Sequence, residues 1–191
     1  MPRMLSFFLV PLYTELLPKA AYGKVTIIFA YMIFFNVILA YGMETAFFRF
    51  YNKETDKKNV IETATISIFW TSLIFLIIAL INRVALAKFS GIDVQYVTYA
   101  IWILVLDALV IVPFSKLRAN QKPIFYAIIK IGNVTVNLLL NIFFLIFLPQ
   151  WVKSSSNEFL QLIYFEDFQI GYIFVSLIAS SLITFIALST D

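Results

Sequence analysis

Long charge-free runs, each closed at both ends by a charged residue, set the rhythm of this sequence. Residues 25–43, 63–82, 131–152 and 168–190 carry no Asp, Glu, Lys or Arg, and 94–115 carries only Asp107. About 20 apolar residues at ~1.5 Å each cross a ~30 Å hydrocarbon core, so every run is long enough to span a membrane. Charged stretches separate them, which predicts separate crossings over about 25–48, 61–82, 94–115, 124–148 and 169–190. Between Arg3 and Glu15 the run is shorter and contains Pro11, while Glu15 and Pro18 do not suit a cleavable leader. Residues 4–17 are expected to be the second half of a first crossing that begins upstream. The last crossing runs almost to Asp191, so the chain is expected to be a fragment. The predicted fold class is all-α: a polytopic membrane bundle of about six helices, the first truncated.

Composition agrees with this pattern. Of the 191 residues, 62% are hydrophobic and 13% charged, with mean hydropathy +0.92. A soluble domain is about 45–50% apolar and ~25% charged. There is no His and no Cys, which excludes disulfides, thiolate or imidazole metal ligands, and Cys or His catalysis. The chain is not expected to be an enzyme, and no cofactor is expected beyond a coupling H⁺ or Na⁺.

The net charge of +3 is explained by topology rather than by nucleic acid. With the amino terminus inside, Arg3, Arg49, Lys53, Lys57, Lys58, Lys116, Arg118 and Lys122 face the cytoplasm. Lys19, Lys24, Arg83, Lys88 and Lys153 face outward, and Lys130 stays inside a span. That excess predicts a cytoplasmic amino terminus. Trp151, Tyr96, Tyr164 and Tyr172 sit near span ends, as interfacial aromatics do.

Inside a membrane the informative residues are the polar ones, because each is costly there. Lys130, Asn133, Asn137 and Asn141 are spaced 3, 4 and 4, on one helical face, and Tyr126 extends the stripe by a turn. One asparagine reads as helix–helix glue; three in register under a lysine favour the wall of a hydrated cavity. Asn36 and Glu44 lie two turns apart, followed by Arg49, which reads either as a snorkelling anchor or as a functional cation. Glu44 and Arg49 are five apart and so are not partners within their helix. Asp107 sits mid-span and needs a proton or a basic partner, Lys130 or Arg3; it either lines a cavity or fixes helix register as a buried ion pair. Pro113 is expected to kink that helix.

The stripes Ser176, Ser180, Thr184 and Thr63, Ser67, Thr71 read as close helix packing. Lys116, Arg118 and Lys122 around Pro123 read as an elbow anchored at anionic headgroups. The sequence holds no phosphate-binding glycine loop and no convincing internal repeat.

The segments from Arg3 to Thr14, Tyr22-Gly23 and Tyr41 to Phe50 (YGMETAFFRF) resemble the opening of bacterial Wzx-type polysaccharide flippases, members of the multidrug/oligosaccharidyl-lipid/polysaccharide exporter superfamily. Leu106-Asp107-Ala108, the run from Pro113 to Arg118 and the stripe from Lys130 to Asn141 are similar in a weaker way. The resemblance implies the first of two similar lobes around a central, often cationic, cavity, the second lobe lying outside this chain. It implies alternating-access transport of undecaprenyl-pyrophosphate-linked oligosaccharide across the bacterial inner membrane, for O-antigen, capsule or lipopolysaccharide synthesis. The implied partners are that lipid-linked oligosaccharide, membrane lipids and the missing lobe. Arg3, Arg49 and Lys130 become candidates for the pyrophosphate, and Asn36, Asn133, Asn137 and Glu44 for sugar hydroxyls. Asp107 or Glu44 is a candidate for a coupling proton. Two alternatives stay open: a drug or cation exporter of the same fold, and a non-transporting scaffold of a polysaccharide synthesis complex.

Overall fold

A computed structural model describes residues 10–154, 164–165 and 168–189. Every regular element among them is helical. In chain order they are α1 (Val10–Leu16), α2 (Lys19–Ala40), α3 (Met43–Lys53), α4 (Lys57–Ile81), α5 (Arg83–Ser90), α6 (Val94–Leu109), α7 (Ile111–Ala119), α8 (Pro123–Ile142), a π-helical turn (Phe143–Phe147), α9 (Leu148–Ser154) and α10 (Gln169–Ser189). Merged across their breaks, five of these rods are long and apolar enough to cross a membrane: Lys19–Lys53, Lys57–Ile81, Val94–Ala119, Pro123–Val152 and Gln169–Ser189. The chain is therefore a multi-pass helical bundle.

Two rods are broken, each for a local reason. Between α2 and α3, Tyr41 (φ 29°) and Gly42 (φ 75°) leave the right-handed helical region, and glycine tolerates that geometry. Between α6 and α7 the break falls at Val110, three residues before Pro113. Proline has no N–H for the Leu109 carbonyl, so the helix opens where the sequence places a kink. Below these breaks α3 and α7 pack on each other, and Met43, Phe47 and Tyr51 of α3 share a core with Ile68 of α4 and Val112 of α7. The Tyr51 hydroxyl bonds to Asn120 Oδ1 at 2.6 Å just beyond α7, pinning the far end of the pair.

Helices α6 and α10 form the centre: half of the apolar 18-residue stretch of each rod is buried, against 22% for the rods containing α2 and α4 and 17% for that containing α8. Their shared core joins Leu104 and Ala108 of α6 to Ile173 and Phe174 of α10, with Val25 and Ile28 of α2 closing one side. The remaining faces carry large apolar side chains outward, such as Ile66, Phe69, Ile128 and Ile131, as lipid-facing helices do.

Several sequence expectations shift. Residues 83–90 form α5, a short amphipathic helix closed by Gly91 in the left-handed region, where only a loop was expected. Thr63 and Thr71 are exposed, and the buried face of α4 is instead Ala64, Ile68, Ser72 and Ala79, one position along. In α10, by contrast, Ser176, Ser180 and Thr184 are buried against α6 and α8, as close packing requires. Among the span-end aromatics Trp151 is exposed, whereas Tyr96 and Tyr172 are buried, stacking on Phe174 and Phe144 respectively.

Candidate functional site

A cavity of about 750 Å³ opens between α2, α6, α8 and α10 and continues down to the first turn of α3. Its wall gathers polar side chains from four spans. Asn36 comes from α2, Glu44 from α3, Asp107 from α6, and Lys130, Asn133 and Asn137 from α8; Ser180 and Ser181 come from α10. The rest of the lining is apolar, including Phe29, Met32, Val134 and Leu177. The volume lies within the range of small-molecule sites, which combine such apolar walls with a few converging polar groups.

The α8 stripe divides its labour along its length. Asn141 is fully buried and does not line the cavity: its Nδ2 donates to the Asn137 carbonyl and to Asn137 Oδ1, both at 2.8 Å, and its Oδ1 accepts from the Tyr13 hydroxyl at 3.1 Å. This end of the stripe ties α8 to α1, so the glue reading holds there. Asn133 both lines the cavity and grips α10, donating to the Ser180 carbonyl at 3.0 Å and to Thr184 Oγ1 at 2.8 Å. Asn137 spends its oxygen on Asn141, and among the described residues its Nδ2 makes no hydrogen bond. Asn36 makes none there with either end of its amide. Two primary amides therefore present unused hydrogen-bonding capacity to the cavity.

The charges alternate along the wall. Lys130 Nζ lies 4.0 Å from the centroid of the Phe114 ring and 5.8 Å from that of Tyr126, within cation–π range of both. The carboxylates of Asp107 and Glu44 act on it electrostatically. Asp107 Oδ1 accepts from Ser181 Oγ at 3.1 Å, which couples α6 to α10 at mid-span. At the α3/α7 end, Glu44 pairs with Arg118, whose guanidinium also lies over Phe48 at 5.0 Å and Tyr126 at 5.9 Å.

Of the eight residues singled out from sequence, six meet in this one cavity: Asn36, Glu44, Asp107, Lys130, Asn133 and Asn137. Arg3 lies outside the described residues. Arg49 is exposed and does not line the cavity. It is five positions from Glu44 on α3, so when Glu44 turns inward Arg49 turns away. The cation at the cavity end is Arg118 instead, which read from sequence as a headgroup anchor. Nothing local could have found it, because the contact exists only once α7 folds back onto α3. Ser181 was missed for a similar reason: it sits one position off the α10 packing stripe and meets Asp107 only through the α6–α10 contact.

No family model, curated protein or solved structure matches the chain.

Proposed function

We propose that this chain forms one wall of the translocation pathway of a membrane transporter for phosphate-linked, lipid-anchored oligosaccharide, the flippase class that its motifs resemble. The observation that carries the reading is the convergence of six polar residues from three separate spans on one cavity. Intramembrane charges and amides are costly, and a cavity that collects them is paid back by a polar passenger. Lys130 supplies a cation for a phosphate oxygen, while the unused amides of Asn36 and Asn137 suit sugar hydroxyls. Phe114 and Tyr126 add ring faces on which an apolar sugar face rests. On this reading the site lies in a bacterial inner membrane with the α3/α7 end toward the cytoplasm, and breaks at Tyr41–Gly42 and Val110 let that end move during alternating access.

The test places Lys130→Gln and Asn137→Leu separately in the protein that carries this chain. Surface polysaccharide and lipid-linked oligosaccharide retained in the inner leaflet are then measured. Each variant is expected to reduce export about tenfold, the loss of one hydrogen bond involving a charged or buried group. The two carboxylates and three aromatic rings of the same cavity also suit an organic cation. Unchanged export with altered resistance to lipophilic cations assigns the cavity to a drug exporter. If neither changes, the cavity does not carry a passenger and the scaffold reading takes its place.

A further inference from the structure

A second, chemically opposite cavity lies on the other side of α2. It measures about 810 Å³ and is bounded by α2, α4, α5 and α6. Ile28, Phe35, Phe75, Val97 and Leu104 furnish its depth. Its few polar atoms sit mainly at the α5 end, where Asn82 Nδ2 already donates to the Ile78 carbonyl and Ser90 Oγ to the Leu86 carbonyl. Deeper in, Tyr31 is the one lining side chain with a polar group and the rest are apolar, so the groove matches hydrocarbon.

Two further features specify which hydrocarbon. From Val97 to Leu104 the groove descends seven helical rises along α6, about 10 Å, against roughly 15 Å for one leaflet of the hydrocarbon core. It begins beneath α5, reaches Phe35 on α2 and Leu104 on α6, and shares Met32 with the polar cavity. Its depth therefore fits a chain entering from the α5 side and stopping near mid-membrane. Helix α5, whose Ala85, Leu86 and Phe89 line the groove, also carries Arg83 and Lys88, both exposed. Neither forms an ion pair with a carboxylate among the described residues.

We infer that α5 and the groove beneath it form a binding site for an anionic diacyl phospholipid of the adjacent leaflet. One acyl chain lies in the groove and the headgroup phosphate is drawn to α5 by Arg83 and Lys88, which stand on either flank of its groove-lining face. Short amphipathic helices that carry cations beside an apolar face take up this interfacial position. Phe89, 85% exposed while lining the groove mouth, is the residue such a helix turns toward acyl chains. The inference does not depend on what the polar cavity transports.

The test measures association of spin-labelled phosphatidylglycerol and spin-labelled phosphatidylcholine with the whole chain in phosphatidylcholine bilayers. A cation near the surface is worth about fivefold in affinity for anionic lipid, so phosphatidylglycerol is expected to be preferred at least about fivefold. The double variant R83A/K88A is expected to bring the two lipids to near parity, while K57A/K58A at the opposite end leaves the preference in place. Ala85→Trp, which fills the groove from an exposed position, is expected to remove one motionally restricted lipid. Circular dichroism checks that each variant remains helical. Equal association of the two lipids, or a preference that survives R83A/K88A, overturns the site. If R83A/K88A abolishes the preference but Ala85→Trp displaces nothing, the attraction is surface electrostatics alone and the groove assignment fails.

Discussion

Glu44 and Arg118, 74 positions apart in the chain, are joined as an ion pair where the polar cavity meets the α3/α7 end. Each belongs to a segment set off from its parent span by a helix break. The pair therefore ties together two elements that the backbone alone leaves free to swing. It is also half-exposed, with side chains 48% and 52% accessible, so its value to stability is small, under about 1 kcal/mol. Its consequence is positional.

Loosening this tie is expected to open the cavity without unfolding the protein. The chain has no cysteine, so N36C provides a single reporter inside the cavity. Glu44→Gln is expected to raise the rate of N36C modification by a membrane-impermeant thiol reagent several-fold, with little change in unfolding midpoint. The charge exchange E44R/R118E is expected to bring the rate back. An unchanged rate in Glu44→Gln means that the pair does not hold α3 against α7.

The two ends of the asparagine stripe are expected to respond differently to the same substitution. Asn141→Leu removes the partner of the Tyr13 hydroxyl and of Asn137 Oδ1 in a fully buried position, a loss of about 1–3 kcal/mol. Asn36→Leu breaks no hydrogen bond to the described residues and is expected to cost less than about 0.5 kcal/mol, while still impairing transport. Unfolding in mixed micelles measures both. A double-mutant cycle with Tyr13→Phe is expected to return a coupling of about 0.6 kcal/mol for the Tyr13–Asn141 bond, the average found for hydrogen bonds between membrane helices.

Glycines distinguish the helix break from the helices. Gly42 has φ 75°, and a Cβ there meets no heavy atom within 4 Å, so Gly42→Ala carries backbone strain alone, about 1 kcal/mol destabilising. Gly23 and Gly132 are helical, and a Cβ at either also meets nothing within 4 Å. Alanine at those two is expected to stabilise by about 0.5–1 kcal/mol. The same unfolding assay reads all three, and a neutral Gly42→Ala means that the break at Tyr41–Gly42 does not need the left-handed conformation.

The membrane-spanning rods and one face of α8 were legible along the chain because their causes are local. An uninterrupted apolar run is its own signal, and so is a helical stripe of Lys130, Asn133, Asn137 and Asn141 on an otherwise apolar helix. Pro113 likewise announces the α6–α7 break through chemistry that acts within one turn. The rotation of the other helices was not legible. Helices α2 and α4 are apolar nearly all round, so no periodicity says which face turns inward; this is why the buried face of α4 proved to be Ala64–Ile68–Ser72 rather than the hydroxyl stripe beside it. In lipid both faces of such a helix are equally at home, and only shape and polar partners on neighbouring helices choose between them. That choice lies in contacts made across the fold. Tertiary structure alone exchanged Arg49 for Arg118 at the cavity end, took Asn141 out of the cavity into the contact with Tyr13, and set a polar and an apolar cavity on opposite sides of α2.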